Sequence, residues 1–414
     1  MEELKISEKK HFLNILLDEI SKSSLTIIIL AIFTGLLFGG IIAVATTKEL
    51  YSAFDESFFN GLNESLKFIW KTYSSLFIGS VGNPSKMASS LLSGDSKAIL
   101  SAFKPFLESL VTTTPYLITG IAIALGFQAG IFNIGGEGQL FMGSIMAGWA
   151  GWTFKGLSPI VHVPLALSIG FLAGAFWGFI PGWLKAKTGS HEVINTIMMN
   201  YIAFNLSQYL IIGPFQDPNE SFKTRFIEES AHLYRFFKET SLRFNIGLFI
   251  ALAIAVLVWY ILYKTTWGYE LRTVGLNPHA ANYAGINSSL ITILSLTISG
   301  AISGLAGAVE MLGVNFRAVQ SLTTGYGFDA IAIALLAKNH PLIVIITAML
   351  FGFMRQGSRL MQINTGIPID IISILQAFIL FFIAAPAIIR TIYRLREPKQ
   401  TDLTPQISLP GDKI

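Results

Sequence analysis

The sequence predicts an all-α polytopic membrane protein, with about ten transmembrane helices in two inverted five-helix repeats that contain broken helices. Three observations carry that prediction. The 414 residues are 52% hydrophobic and 13% charged, about half the charged share of an ordinary soluble domain. Several apolar stretches reach the roughly 20 residues that a bilayer crossing needs. Two of them are interrupted at corresponding places, Phe132 to Gln139 and Ser321 to Asp329.

Composition also excludes classes. With no cysteine there is no disulfide framework, thiolate metal site or thiol redox role. The net charge of +4 is small, and the lysines and arginines cluster mainly at span ends. That suits basic cytoplasmic loops better than a nucleic-acid surface. The first apolar run is too long and begins too late for a cleavable signal. An intramembrane metalloprotease would need HExxH, but the six histidines are scattered without ligand spacing. No GxSxG nucleophile elbow occurs. A channel would call for a repeated filter or a ring of charge, and the few intramembrane charges are not repeated.

Residues 1–23 form a cytoplasmic N-terminus with Phe12, Leu13, Leu16, Leu17 and Ile20 at helical spacing, as in a helix lying on a membrane surface. The membrane-spanning body covers residues 24–394, and the first span is Leu25 to Thr46. Residues 47–110 form an insertion without a convincing span. In it Phe54, Phe58, Leu62, Leu66, Ile69, Tyr73 and Phe77 recur every three or four residues, as in an external amphipathic helix. Their aromatics suit interfacial or core packing, or binding. Further spans are expected at Val111–Gln128, Leu140–Phe154, Val163–Leu184, Val193–Ile212, Ile246–Tyr263, Ile286–Val314, Phe328–Ala337, Pro341–Phe353 and Ile369–Ile389. Residues 213–245 form an external loop, residues 264–286 a cytoplasmic loop with two short helical pieces around Asn277-Pro278, and residues 395–414 a polar, disordered cytoplasmic tail. Both termini are then cytoplasmic in a multi-pass protein of the cell membrane.

The stretch Phe127 to Gln139 places Asn133, Glu137 and Gln139 among four glycines inside apolar sequence. Broken backbone is tolerated in hydrocarbon only where it is buried in protein or lines a cavity, and a carboxylate there is a functional candidate. A solvated position at the membrane edge is the alternative for Glu137. Asn195 and Asn200 on the fifth span are either glue between helices or cavity-lining groups. Tyr326, Phe328 and Asp329 follow the second break. The aromatics offer stacking surfaces or core packing, and Asp329 can close a site from the other half. Backbone N–H groups at half-helix ends can bind a polar ligand. Together these groups suit ribose hydroxyls and base edges, and a sugar fits nearly as well.

The halves resemble each other. Pro164 and Pro341 open similar helices, Lys187-Thr188-Gly189 and Asn364-Thr365-Gly366 follow at the same separation, and Ile194, Ile197 and Ile202 align with Ile371, Ile374 and Ile379. Inverted repeats with interrupted helices point to a transport site at the repeat interface.

Four motifs in order, GIFNIGGEGQLFMGS (residues 130–144), EVINTIMMNYIA (192–203), GYELRTVGLNPHAANYAGI (268–286) and GYGFDAIAIALLAKNHP (325–341), resemble the permease subunits of bacterial ABC importers for simple sugars, nucleosides and branched-chain amino acids. The FNIG-x-EGQ form is similar to the nucleoside-type members. The resemblance covers about residues 110–394. It implies a translocation path for a small polar solute, a second permease subunit (a copy or a paralogue), an extracytoplasmic substrate-binding protein and a separate ATPase. The chain has no GxxxxGK[ST] phosphate loop, so no cofactor is expected on it and ATP is used by the partner ATPase. The resemblance also implies that the cytoplasmic loop couples to that ATPase, with Gly268, Arg272, Gly275, Asn277, Pro278, Ala280, Ala281 and Gly285 as its docking residues.

Overall fold

The computed structural model describes residues 24–237, 241–319, 325–368 and 370–395. The N-terminal segment, residues 321–324 of the expected second break and all of the expected tail but Leu395 lie outside the described residues. The regular elements of the described chain are helices except for a two-stranded ribbon. Among the described residues six helices are long and apolar enough to cross a membrane, or seven if a bent pair is one span. The sequence count was about ten. The difference lies in helices that carry polar groups, such as those of Glu137 and Asn200, or that run for only 11 residues after a break.

The chain divides into two compact units. The smaller comprises Met1–Ala45 and Ser373–Ile414. Its α1 (Ser24–Thr46) packs on the chain after Ser373, with Phe38 stacked 5.6 Å from Phe378 and the Thr34 and Tyr393 hydroxyls 2.9 Å apart. The expected last span is not continuous. A helix at Asp370–Ala384 stops before Pro386, and another at Pro386–Ile392 leaves at 85°. Proline lacks the N–H that would continue the ladder and disfavours a helical residue before it.

The larger unit, Thr46–Ile372, holds the interior. After α2 (Glu49–Glu56) comes α3 (Phe58–Ser80), whose Gly61, Ser65, Thr72, Ser75 and Gly79 are buried. Leu62, Leu66, Trp70 and Phe77 point outward, Trp70 being 77% exposed. This apolar-out, small-in arrangement is that of a helix facing hydrocarbon. Following α4 (Pro84–Ser93), α5 runs unbroken from Ser96 to Gln128 through Pro105 and Pro115. It therefore extends the expected Val111–Gln128 span well into the segment read as insertion. Next come α6 (Gly136–Thr153), α7 (Pro159–Thr188) and α8 (Glu192–Ile212). Then α9 (Gly247–Lys264) leads to the short α10 (Thr266–Leu276) and α11 (Pro278–Tyr283). The unit closes with α12 (Ser288–Glu310), which runs on as a wide π turn to Asn315, α13 (Tyr326–Leu336) and α14 (Pro341–Thr365). The expected short span ending at Phe353 is thus a full-length helix.

At the centre α6, α7 and α12 meet main chain to main chain. A Cβ on Gly174 would lie 2.6 Å from the Gly304 Cα, and one on Gly304 2.7 Å from the Gly174 Cα. The four-residue glycine repeat of α7 (Gly170, Gly174, Gly178, Gly182) permits this approach. The loop after α8 straps the segment that leads into the second break: Thr224 N–H donates to Ala318 O at 3.0 Å and Ile227 N–H to Phe316 O at 3.0 Å. Farther along, Arg243 anchors the loop on α5 through Nε to the buried Glu108 Oε2 at 2.8 Å and its own N–H to Oε1 at 2.9 Å.

Candidate functional site

The first break begins as a helix stop. Gly130, at φ 70°, ends α5: its N–H donates to Phe127 O, and Ile131 N–H donates to Gly126 O, both at 3.0 Å. That is a Schellman closure, which needs a left-handed residue at its turn. The chain then re-enters the interior and starts α6 at Gly136.

A helix N-terminus leaves backbone donors without partners, and here protein side chains take them. Asn133 Oδ1 accepts from Gly135 N–H at 2.9 Å, and Asn200 Oδ1 accepts from Gly138 N–H at 2.8 Å. Asn200 Nδ2 donates to Ile134 O at 2.9 Å, and Thr196 Oγ1 accepts from Ile134 N–H at 3.3 Å. Asn133 Nδ2 donates to Gln139 Oε1 at 3.1 Å and to Ser299 Oγ at 2.9 Å. Asn133, Glu137, Gln139 and Asn200 are all buried.

Glu137 serves the other break. Its Oε1 accepts from Gly325 N–H at 2.8 Å and its Oε2 from Gly327 N–H at 2.5 Å. The half-helices α6 and α13 thus begin against each other: a Cβ on Gly136 would lie 3.7 Å from the Gly327 Cα. Both present the positive ends of their dipoles there, and one buried carboxylate balances them. The backbone N–H groups that the sequence offered to a ligand are, at these positions, taken by the protein.

The remaining site candidates divide. Tyr326, Phe328 and Asp329 stand together on the first turn of α13, with Phe328 46% exposed. Tyr116 of α5 donates its hydroxyl to Asp329 Oδ2 at 2.7 Å and meets the Tyr326 ring edge-on, centroids 4.8 Å apart. Asn195 stands apart from the buried knot, its Nδ2 donating to Ser190 Oγ at 2.6 Å. Sequence reasoning missed Tyr116, Thr196 and Ser299. Thr196 lies four residues before Asn200, on the same helix face, and was findable. Tyr116 and Ser299 sit in apolar or small-residue runs that carry no signal.

The loop of α10 and α11 has the two-piece form expected of it. Asn277 caps α11, its Oδ1 accepting from His279 and Ala280 N–H at 2.9 and 3.1 Å. Gly268 and Ala281 are buried, and Leu276 and Tyr283 protrude, 89% and 97% exposed. Gly275 lies against the first break: a Cβ there would sit 2.9 Å from Gly130 N. The Arg272 guanidinium lies over the Tyr263 ring, 5.0 Å from its centre.

This pair of interrupted helices beside a two-piece loop lies within residues 106–384, which match the family described as branched-chain amino acid transport system / permease component. The chain belongs to that family. Members are transport subunits, not enzymes, and the apolar helices fit a multi-pass membrane permease. It is 44% identical over 287 residues to the guanosine ABC transporter permease protein of Bacillus subtilis, covering 68% of this chain and 82% of that one. It is 39% identical to a nucleoside ABC transporter permease protein of Lactococcus lactis, over 68% of this chain and 79% of the relative. A glucose ABC transporter permease protein of Haloferax volcanii is 32% identical, over 67% and 75%. No solved structure matches the chain.

Proposed function

We propose that this chain is the membrane-spanning permease subunit of an ATP-driven nucleoside importer and forms its translocation path. The observation that carries the reading is the meeting of two half-helix N-termini inside an apolar bundle, beside the exposed Phe328 and the half-buried Tyr326 and Asp329. Buried carboxylate and amides fix the breaks, leaving an aromatic and a carboxylate to meet a solute. In this division of labour Asn133, Glu137, Gln139 and Asn200 shape the site from behind, and Asn195 borders its approach. The guanosine and nucleoside permeases among the relatives support a nucleoside. The glucose permease keeps a sugar as the second reading.

The same proposal includes ten spans in two inverted repeats. Its support is the matched ends of α7 and α14, where Gly189 and Gly366 adopt left-handed caps at φ 69° and 72° after Thr188 and Thr365. On this reading Lys185, Lys264 and the α10–α11 loop face the cytoplasm and dock an ATPase. The 213–246 loop faces outward towards a substrate-binding protein, a second permease subunit completes the membrane part, and ATP is bound by the ATPase. Single cysteines at Lys155 and Gln362 then label from outside and one at Lys187 does not; the reverse pattern overturns the orientation. The transport reading is tested by ATP-dependent uptake of labelled guanosine into proteoliposomes that hold the assembled complex. Accumulation of a hexose but not guanosine moves the assignment to a sugar.

A further inference from the structure

The amide of Gln128 sits where three segments converge. Its Nε2 donates to the Tyr263 hydroxyl at 3.3 Å and to Asn339 O at 3.1 Å. Gln128 is the last residue of α5, one step before the first break. Tyr263, near the end of α9, carries Arg272 of α10 on its ring and stacks on His340, with centroids 5.3 Å apart. Asn339 and Lys338 form the turn between α13 and α14, both with positive φ, 58° and 49°. Consecutive left-handed residues other than glycine persist only where their surroundings hold them.

We infer that Gln128, through Tyr263, is the positioning residue that ties the α10–α11 loop to both interrupted helices at once. This rests on the reading of that loop as the ATPase docking element. A displacement of α10 moves Gly275 against the main chain of residues 128–130 and draws Arg272 and Tyr263 with it. Gln128 passes the same displacement to the turn that ends α13. Neither break then shifts without the other, because the amide beside the first break donates to the turn that ends α13. Tyr263 contributes separable parts, a ring that stacks and a hydroxyl that accepts.

The experiment uses the complete transporter in proteoliposomes and reads nucleoside taken up per ATP hydrolysed. Gln128→Leu removes both donations at similar volume, and Tyr263→Phe keeps the ring and removes only the acceptor. The expected result is a fall of about tenfold in the uptake-to-hydrolysis ratio for Gln128→Leu, from the loss of roughly 1.4 kcal/mol of coupling, and a smaller fall for Tyr263→Phe, with hydrolysis continuing. An unchanged ratio in both variants overturns the inference. So does a parallel loss of uptake and hydrolysis in both, which marks a merely structural contact. Failure of the unmodified complex to couple uptake to ATP counts against the transport reading itself.

Discussion

Glu137 caps a helix that begins 189 residues later, at Tyr326. Its carboxylate receives the N–H groups of Gly325 and Gly327, so the first turn of α13 is held by the first turn of α6.

Glu137→Gln keeps the shape and removes the charge. Hydrogen bonds to an ionised acceptor contribute about 1.5–3 kcal/mol, and an amide offers only one acceptor oxygen. The variant should lose about 2 kcal/mol of stability, seen as a lower melting temperature of the purified permease. An unchanged melting point with uptake lost would instead place the carboxylate on the solute.

Asn200 and Asn205 lie on one helix with opposite surroundings. Asn200→Ala strips partners from the Gly138 N–H and the Ile134 carbonyl, which costs about 1–3 kcal/mol for each buried group left unpaired. Asn205 is exposed and donates only to Tyr201 O in its own helix, so Asn205→Ala should be near neutral. Equal effects in a thermal shift comparison would refute the capping role.

Phe328 and Asp329 are the side chains to alter for selectivity. Phe328→Ala should reduce nucleoside uptake more than free pentose uptake, because base stacking contributes about 0.5–1.5 kcal/mol beyond burial. Asp329→Asn should weaken both, since on this reading the carboxylate, besides accepting from the Tyr116 hydroxyl, accepts from hydroxyls of the sugar. Equal losses in Phe328→Ala for the two solutes count against the nucleoside.

Glycine at the seam is also open to test. Gly174→Ala places a methyl on the Gly304 main chain, with no flexible side chain to give way. Forced overpacking costs about 1–3 kcal/mol, and folded yield should fall. At Gly182 the nearest atoms stand 3.2 Å from the new Cβ, so Gly182→Ala should fold in better yield than Gly174→Ala. Indistinguishable yields would show that the helices part more easily than their packing implies.

Both breaks were legible because glycine and acid inside apolar sequence have few explanations in a membrane. The two-piece loop was legible from Asn277-Pro278, a cap followed by the residue that favours a first helical turn. The partner of Glu137 was not, since nothing local in sequence says which distant N–H groups a carboxylate meets. Nor was the outward face of α3: the spacing of Leu62, Leu66 and Phe77 is the same whether the stripe points to a core or to hydrocarbon. The stop at Ala385 was written in Pro386 and was outweighed by the apolar run around it.

Gly174 and Gly304 leave no side-chain layer between α7 and α12. Side chains act as bearings, since they can change rotamer while a helix slides over them. Main chain cannot, and sliding one helix along the other would lift each carbonyl over a neighbouring Cα. The two helices therefore travel as a single strut. Movement within this unit then falls to other joints, such as the two breaks, and a strut that drops out of register would stall every joint it carries.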